Sequence, residues 1–445
     1  MNYLSTDDII VAKATGDGKS TLDIIRLSGP SLTNTFKKIT KKKTNPKKNY
    51  IKKYKLYSCS SGNIIDHVMI SYFKGPESLN GQDIIEINCH GGGYIANIII
   101  DDLCKSGLAR HALPGEFLFR AYYNNKISIL EAEAIDDVIQ SDSNIYLHKS
   151  LENVDGRLAI EAANIKKGLV ELLTIIEHEL DFSENEINHT QNDEIIKRIK
   201  IIIKRLRNIN KSLFFSKITK NGIRVVIAGK PNAGKSSLYN YLLGKNRAIV
   251  SESSGTTRDV IESVVEINKH KVILIDTAGH AKTKNKIEKI GIEKSKKEIN
   301  DADIIMLLAE NSDDFNDFKM LVKNTPIIHV LTKNDIYLHE HEFCKISINE
   351  KDSIDNLLTA LSTVISTLTN SNKMENHYLI NQRQGDIIIN CIEQLNTINK
   401  NIYNCDSDVI ATMISAVLDE FNNIVDPVGS EDVINKIFSG FCIGK

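Results

Sequence analysis

Near the middle of the chain stands the octapeptide Gly229-Lys230-Pro231-Asn232-Ala233-Gly234-Lys235-Ser236. It follows Arg224-Val225-Val226-Ile227-Ala228, which is typical of a short buried strand, and a helix is predicted to begin at the end of the octapeptide. Small residues in such a loop allow successive backbone N–H groups to surround phosphate oxygens at a helix N-terminus. The pattern therefore predicts a phosphate-binding loop in which Lys235 contacts the β and γ phosphates and Ser236 binds Mg²⁺.

Two further motifs follow predicted strands in the order that a GTPase requires. Asp276-Thr277-Ala278-Gly279 ends one strand, and Asp276 is expected to hold the Mg²⁺ water shell while the Gly279 amide faces the γ phosphate. Thr332-Lys333-Asn334-Asp335 follows a second predicted strand, Ile327 to Val330, and the Asp335 carboxylate is expected to accept the two N–H donors on the edge of guanine. Adenine would leave that carboxylate unpaired, so GTP is favoured and an ATPase is disfavoured.

Three further features complete the predicted nucleotide site. Thr332 has a hydroxyl where most GTPases have the amide of Asn, and Ser347 lies where a last base-contacting loop is expected. Thr257 is expected to supply a second hydroxyl for Mg²⁺ once its loop closes over the γ phosphate. The predicted GTP-binding residues are Asn232, Ala233, Gly234, Lys235, Ser236, Ser237, Ser251, Glu252, Ser253, Ser254, Gly255, Thr256, Thr257, Asp276, Thr277, Ala278, Gly279, Thr332, Lys333, Asp335 and Ser347.

Composition indicates an ordinary globular protein. The 445 residues are 41% hydrophobic and 25% charged, with a formal net charge of −1, so a nucleic-acid partner requires local basic patches. Seven cysteines without a C-x-x-C pair predict neither a disulfide framework nor a zinc site. The chain begins with no secretory signal and contains no run of about 18 apolar residues, so we expect a cytoplasmic protein with no membrane partner.

The periodicity of apolar residues changes three times along the chain. Short strand-like runs mixed with helices precede about Arg120, and a helical stripe then runs from Leu147 to Leu180, which predicts one long amphipathic helix. Alternating strands and helices extend from Ile223 to Leu368, after which helical periodicity returns. We therefore predict an α/β multidomain chain with an N-terminal α+β domain (1–120), a discontinuous helical bundle domain (121–218 and 370–445) and an inserted Ras-like P-loop GTPase domain (219–369).

The densest basic stretch runs from Lys37 to Lys55. Two interpretations remain open for it: a solvated loop between two apolar segments, and a contact for RNA.

Motifs at both ends of the chain extend the pattern beyond the nucleotide site. The chain ends in Phe441-Cys442-Ile443-Gly444-Lys445. Its first part contains Arg26-Leu27-Ser28-Gly29 and a segment, 81–86, that leads into His90-Gly91-Gly92. Further along, Pro114-Gly115-Glu116-Phe117 is followed by Asn124-Asn125-Lys126. Together with the central motifs, these residues resemble the tRNA-modification GTPase family usually called MnmE or TrmE. The resemblance covers the whole chain, with departures at Asn80, Gln82 and Cys89, where Thr, Glu and Gly are usual.

The resemblance implies a potassium ion that takes the role of an arginine finger. Its ligands here would be Asn232, Ser251, Ser253 and Thr256, whose oxygens suit a hard monovalent cation. The family also implies that Glu288, before Ile290-Gly291-Ile292, is the catalytic residue that polarises the attacking water. His280 follows the D-T-A-G motif where the family has an apolar residue, and it remains an alternative for orienting water.

The resemblance further implies that the N-terminal domain binds a tetrahydrofolate, in the 5-formyl or 5,10-methylene form, and mediates dimerisation. The matching positions are Arg26, Glu86, Lys126 and Lys445. A carboxylate suits the donors of a pterin, and cations suit the anions of its glutamate tail. Cys442 is either a thiolate nucleophile or a small packed apolar group, and we favour a site-lining role without covalent chemistry.

The function implied by the resemblance is that of a potassium-dependent GTPase. It would act with an FAD-dependent partner of the MnmG (GidA) type, in a heterotetramer built on a homodimer. Together they would add a carboxymethylaminomethyl-type group to carbon 5 of the wobble uridine of tRNA, using a folate one-carbon unit. The alternative is a ribosome-assembly GTPase, an RNA-binding switch that uses Lys37 to Lys55. That alternative explains the phosphate loop but not the F-C-I-G-K tail.

Overall fold

The computed structural model describes residues 6–16, 18–181, 192–230, 232–245, 261–276, 297–318, 325–333, 344–347, 350–369, 377–426 and 431–444. The chain divides into two compact units. The first contains residues 1–139, 153–203 and 390–445, and the second contains 140–152 and 204–389. The predicted limits of three domains stay a prediction.

The first unit is built on a six-stranded sheet with the order β3-β4-β5-β2-β1-β6. Neighbouring strands are antiparallel except for β1 and β6. The strands are β1 (Ile10–Lys13), β2 (Leu22–Gly29), β3 (Tyr50–Tyr57), β4 (Ile64–Phe73), β5 (Asp83–His90) and β6 (Arg110–His111), and helices α1 (Thr33–Thr40) and α2 (Tyr94–Lys105) lie among them in sequence.

Alternation along β2 and β5 separates the two faces of this sheet. Ile25 and Ile87 are fully buried in the core that also contains residues of α1 and α2, whereas Arg26 and Glu86 point to the opposite face. Because Arg26 and Glu86 are directly opposite each other in the β2–β5 register, the fold brings together two residues that are 60 positions apart in sequence.

The basic stretch from Lys37 to Lys55 is mostly regular structure. Helix α1 extends to Thr40 and strand β3 begins at Tyr50, so only the residues between them form a connection. The interpretation of the whole stretch as a loop is therefore wrong.

Further helices belong to the first unit, to the second, or run from one unit into the other. They are α3 (Glu116–Tyr123), α4 (Ile129–Gln140), α5 (Asn144–Val154), α6 (Arg157–Asp181), α7 (Asn192–Asn210) and α8 (Ser212–Asn221), followed late in the chain by α11 (Gln382–Asn401), α12 (Ser407–Val425) and α13 (Glu431–Ser439). The single helix predicted from Leu147 to Leu180 is wrong, because the chain turns at Gly156, whose φ is 86°, between α5 and α6. Helix α6 packs against α12.

The second unit contains a six-stranded sheet with the order β12-β11-β10-β7-β9-β8, parallel except for the β8–β9 pair. Its strands are β7 (Ile223–Gly229), β8 (Ile261–Ile267), β9 (His270–Asp276), β10 (Ile304–Ala309), β11 (Ile327–Leu331) and β12 (Cys344–Lys345), and it also has helices α9 (Lys235–Lys245) and α10 (Lys351–Leu368) and a 3-10 helix (Ser312–Phe318). Apolar cores cover both faces of the sheet. The parallel strands end at one edge, which therefore collects the loops that follow β7, β9 and β11.

All seven cysteines are free thiols. Within the described ranges, no helix is long and apolar enough to cross a membrane.

Candidate functional site

The phosphate loop occupies the turn between β7 and α9, as predicted. Gly229 has a φ of 151°, and a Cβ at this position would lie 2.2 Å from the carbonyl oxygen of Leu308 on the neighbouring strand. Gly234 has a φ of 83°, and Asn232 also adopts a left-handed conformation, with a φ of 64°. Glycine is therefore required at 229 by both space and conformation, and the left-handed residues curve the backbone into a loop at the N-terminus of α9.

Lys235 lies folded over this loop. Its ammonium donates hydrogen bonds to the carbonyl oxygens of Gly229 at 2.9 Å and Lys230 at 2.7 Å. Burial lowers the pKa of Lys235, an effect that the nearby carboxylate of Asp276 opposes. A partly desolvated cation over the phosphate loop is well placed to exchange these carbonyl contacts for phosphate oxygens.

The side-chain oxygens of Ser236 and Asp276 are in contact beside the loop. The Ser236 hydroxyl donates to Oδ2 of Asp276 at 2.8 Å, and Asp276 is only 3% exposed. Mg²⁺ prefers hard oxygen ligands and retains several waters, so one hydroxyl and one carboxylate at this spacing fit the ion.

On the side predicted for the guanine base, Thr332 is buried at the end of β11. Its backbone N–H donates to the Ala309 carbonyl oxygen at 2.9 Å, and its hydroxyl approaches the same oxygen at 3.3 Å. Its methyl carbon lies 3.9 Å from where a Cβ on Gly234 would lie, so Thr332 packs against the phosphate loop. Lys333 adopts a left-handed conformation and pairs with Glu310.

Ser347 is 1% exposed and lies two residues after the end of β12. Its backbone N–H donates to the Ser353 hydroxyl at 3.0 Å, and that hydroxyl lies 3.0 Å from the Ser347 carbonyl oxygen. The fold thus brings Gly234, Asp276, Thr332 and Ser347 to the ends of strands or their loops along one sheet.

Many predicted site residues lie outside the described part of the chain, and their roles stay predictions. They are Ser251, Glu252, Ser253, Ser254, Gly255, Thr256, Thr257, Thr277, Ala278, Gly279, His280, Glu288, Asp335 and Lys445.

A second polar site lies on the N-terminal sheet. The Arg26 guanidinium donates to Oε1 of Glu86 at 2.9 and 3.0 Å and to the Gly444 carbonyl oxygen at 3.1 Å, and it lies 5.8 Å from the ring centroid of Phe117. Three of the four predicted folate positions are described. Arg26 and Glu86 are in contact, while Lys126 lies beside the loop before β5, with its Cε 3.3 Å from where a Cβ on Gly81 would lie.

The C-terminal tail is docked against this sheet. Gly444 has a φ of 92°, and a Cβ there would lie 2.3 Å from the Lys13 carbonyl oxygen. The Gly115 amide donates to the Cys442 carbonyl oxygen at 3.3 Å. Phe438 is fully buried, with its ring centroid 5.5 Å from that of Phe119 on α3.

The Cys442 side chain is exposed. The alternative in which it packs as a small buried group is therefore wrong, and its role in lining the site stays a prediction.

Sequence reasoning missed a buried ionic cluster beneath α3. Arg120 is fully buried and donates to Oδ1 of Asp8 at 2.6 Å, to Oε1 of Glu116 at 2.9 Å and to Oε1 of Gln82 at 2.9 Å. Arg110 pairs with the same two carboxylates. Although burial alone would raise it, the pKa of Asp8 is lowered by its hydrogen bonds with Arg110 and Arg120. An arginine inside the apolar run 117–121 was the available signal, but its partners are distant in sequence.

The second unit has a largely parallel sheet with a phosphate loop after β7, a lysine over that loop, and a hydroxyl–carboxylate pair between α9 and β9. These features define a P-loop nucleotide hydrolase. A family model described as the MnmE helical domain matches residues 129–442, and one described as the GTP-binding protein TrmE N-terminus matches residues 9–126. The chain belongs to the MnmE family of tRNA modification GTPases, and it is a GTP hydrolase.

Individual relatives agree over nearly the full length. The tRNA modification GTPase MnmE of Flavobacterium johnsoniae is 34% identical over 469 residues, which cover 98% of this chain and 99% of that protein. The protein of the same name from Aliarcobacter butzleri is 34% identical over 452 residues, with 99% of each chain covered. Among solved structures, the G domain of the T. maritima FeoB iron transporter is 25% identical and covers 32% of this chain and 98% of that one, with a TM-score of 0.25, too low to bear on the fold.

Proposed function

We propose that this chain is a potassium-dependent GTPase that acts with an FAD-dependent, MnmG-type partner on the wobble uridine of tRNA. In this reaction carbon 5 of the uridine receives a carboxymethylaminomethyl-type group, and a tetrahydrofolate supplies a one-carbon unit. The observation that carries the proposal is the coexistence, in one chain, of a formed phosphate loop and a C-terminal tail whose Gly444 carbonyl rests on Arg26.

The residues at the phosphate loop support binding of Mg²⁺ with GTP. Ser236, with Thr257, would bind the ion, Asp276 would hold its water shell, and Lys235 would contact the phosphates. When bound, Mg²⁺ neutralises charge that develops on the phosphate oxygens. The protein's own contribution is positional: the loop amides and Lys235 fix the triphosphate, and Asp276 is held in place by the end of β9.

One described residue supports the potassium proposal. Asn232 is exposed at the left-handed turn of the phosphate loop, so its side-chain oxygen is accessible to a cation. A monovalent cation there would supply positive charge near the β and γ phosphates without a partner's arginine. Turnover measured in K⁺ and in Na⁺ at equal ionic strength tests this step.

For water activation, Glu288 is the proposed catalytic residue and His280 the alternative. General base catalysis contributes on the order of 10²- to 10⁴-fold, so Glu288→Ala should lower GTP turnover by at least about 100-fold and His280→Ala by much less. Near-normal turnover in Glu288→Ala together with loss in His280→Ala would assign the role to His280.

The chemistry of the N-terminal site suits a folate. Glu86 offers a carboxylate acceptor for the N–H donors of a pterin, and Arg26, with 20% of its side chain exposed, offers a cation for a carboxylate. Neither charge is fully buried, so both can exchange partners with a ligand. Lys126 and Lys445 are proposed to contact the glutamate tail.

A homodimer formed through the N-terminal sheet is supported by an exposed apolar surface. On the face opposite α1 and α2, Ile51 of the edge strand β3 is 59% exposed, and Met69 of the neighbouring strand β4 is 41% exposed. An edge strand with exposed apolar side chains favours a second protein surface. Analytical ultracentrifugation of the wild type and of Met69→Glu tests this step.

The proposal as a whole is tested by reconstitution. The purified chain, a MnmG-type flavoprotein, an unmodified tRNA transcript, 5,10-methylene-tetrahydrofolate, GTP and K⁺ should produce tRNA with a modified wobble uridine, detected by mass spectrometry of nucleosides. Omission of GTP or of the folate should abolish the product. Product formation that is independent of the folate would contradict the folate step while leaving the GTPase assignment intact.

A further inference from the structure

Helix α7 carries a concentration of positive charge that no step above uses. From Lys197 to Lys211 the sequence has seven lysines and arginines and no aspartate or glutamate, although the whole chain has a net charge of −1. Helix α7 itself begins at Asn192 and ends at Asn210. A local excess of this size creates a positive potential that attracts anions.

Four of these cations lie on one face. Lys200, Lys204, Arg207 and Lys211 are spaced by four, three and four residues, which aligns them along the helix over about 16 Å. The Lys211 amide still donates to the Arg207 carbonyl oxygen at 3.0 Å, so the helical path continues through this residue. We call these four residues the α7 cationic stripe.

The stripe is exposed, and the described residues supply no counter-charge to it. All four side chains are exposed, and in the described part of the chain none of them forms an ion pair. By contrast, the acidic residue Glu194 in the first turn pairs with Lys197 and Arg198, outside the stripe. Four like charges on adjacent turns repel one another, so holding them together costs stability that an anion would recover.

The opposite face of α7 already has a packing role. Six apolar residues of that face are buried, each at most 4% exposed: Ile195, Ile199, Ile202, Ile203, Leu206 and Ile209. A basic amphipathic helix that binds a lipid surface inserts its apolar face, and here that face is occupied by the protein itself. The remaining surface is suited to a hydrophilic polyanion.

The basic stretch from Lys37 to Lys55 is less suited to this role. Lys41 donates to the Gly62 carbonyl oxygen at 2.8 Å, and Lys48 pairs with Glu77. Lys52 and Lys53 are consecutive residues of β3, so their side chains point to opposite faces of the sheet. These cations therefore do not form one aligned surface.

We propose that the α7 cationic stripe binds phosphates of the tRNA backbone. The inference rests on the proposed function, in which tRNA is the substrate, and it assigns that substrate a surface. Lysine and arginine contacts to phosphate carry no sequence information, so the stripe would orient the tRNA without selecting it.

The expected effect follows from counterion release. Each phosphate contact contributes about 0.7 to 0.9 to the slope of log K against log salt, so four contacts give about −3. Between about 50 and about 200 mM KCl, the stripe should therefore account for a roughly 50- to 150-fold weakening of tRNA binding. The four-fold variant Lys200→Gln, Lys204→Gln, Arg207→Gln, Lys211→Gln should lose this component.

The experiment is fluorescence anisotropy with the full chain and a labelled, unmodified tRNA transcript at several KCl concentrations. The matched control removes the same number of exposed positive charges elsewhere: Lys42→Gln, Lys43→Gln, Lys52→Gln, Lys53→Gln. Thermal unfolding and GDP affinity report whether each variant is folded. The four single variants of the stripe, each expected to reduce the slope by somewhat less than one, provide the test should the four-fold variant fail to fold.

The inference is supported if the stripe variant loses most of the salt dependence and the control variant retains it. It is overturned if the two variants bind tRNA equally, or if the stripe variant binds tRNA as the wild type does and loses only binding of the flavoprotein partner. Absence of tRNA binding by the wild type, at low salt and with nucleotide, would overturn both the inference and the proposed function.

Discussion

Replacement of Gly444 by alanine should weaken folate binding without affecting the nucleotide site. The Gly444 carbonyl oxygen accepts a hydrogen bond from Arg26 at 3.1 Å, and the φ of 92° at this residue directs the chain against β1. A methyl group at this position would lie 2.3 Å from the Lys13 carbonyl oxygen. The tail must therefore move away from the sheet, and Arg26 loses one of its partners.

The size of the effect follows from the backbone conformation. A left-handed conformation costs a non-glycine residue about 1 to 2 kcal/mol. This cost corresponds to a roughly 5- to 30-fold loss in any equilibrium that requires the docked tail. The contact with the backbone of Lys13 adds to it, because a main-chain carbonyl on β1 cannot rotate away as a side chain can. We expect the dissociation constant of 5-formyl-tetrahydrofolate to rise by at least about tenfold, equivalent to about 1.4 kcal/mol.

The tail supplies its own control. A Cβ at Gly440 would have only the Ile437 carbonyl oxygen nearby, at 3.6 Å, which is an ordinary contact. Gly440→Ala should therefore bind the folate as the wild type does. Isothermal titration calorimetry with 5-formyl-tetrahydrofolate measures both variants, and GDP affinity reports on the phosphate loop, which belongs to the other compact unit.

Wild-type folate affinity in Gly444→Ala would refute the reasoning, because it would mean that the docked tail is not part of the folate site. Equal losses in Gly444→Ala and Gly440→Ala would refute it as well, since the predicted difference between the two glycines would be absent.

Three further predictions concern other parts of the molecule. Thr332→Asn adds an amide donor where the present hydroxyl approaches the Ala309 carbonyl oxygen. Because this amide could donate to N7 of guanine, GDP affinity should rise by about 0.5 to 1.5 kcal/mol. The gain should vanish with 7-deaza-GDP, which lacks that acceptor. Arg120→Met removes the fully buried one of the two arginines that pair with Asp8 and Glu116, so it should lower the free energy of unfolding by up to about 3 to 5 kcal/mol in urea titrations, whereas Arg110→Met, at a half-exposed position, should cost less. The pKa of Asp83 is lowered, because hydrogen bonds from Tyr72 and other donors outweigh the raising effect of burial. The ionised Asp83 therefore stabilises the fold above the ordinary carboxyl pKa, and this contribution is lost as the pH falls through the lowered value. Asp83→Asn should thus cost more stability at neutral pH than at about pH 3.

The phosphate loop and the strand before it could be predicted from sequence because their chemistry is local. The glycines at 229 and 234, Lys235 and Ser236 lie within eight residues, and each has a fixed relation to the turn between β7 and α9. The Asp276 position was also predictable, since a buried strand ending in a carboxylate belongs at the same edge of a parallel sheet.

Other features depend on contacts between distant parts of the chain. The hydrogen bond between Arg26 and the Gly444 carbonyl joins residues 418 positions apart, and the Arg120–Asp8 contact joins residues 112 apart. The spacing of apolar residues in the sequence contains no information about such contacts. The turn at Gly156 was missed for a different reason: the apolar stripe has nearly the same phase on both sides of it, so the pattern alone predicts one helix.

The most direct test of the account is nucleoside mass spectrometry of tRNA from cells in which this chain replaces the endogenous MnmE-family protein. Cells carrying the wild-type chain should contain wobble uridine modified at carbon 5, and cells carrying Lys235→Ala at the same protein level should contain unmodified uridine. Unmodified wobble uridine with the wild-type chain, expressed and folded alongside a MnmG-type partner, would contradict the account.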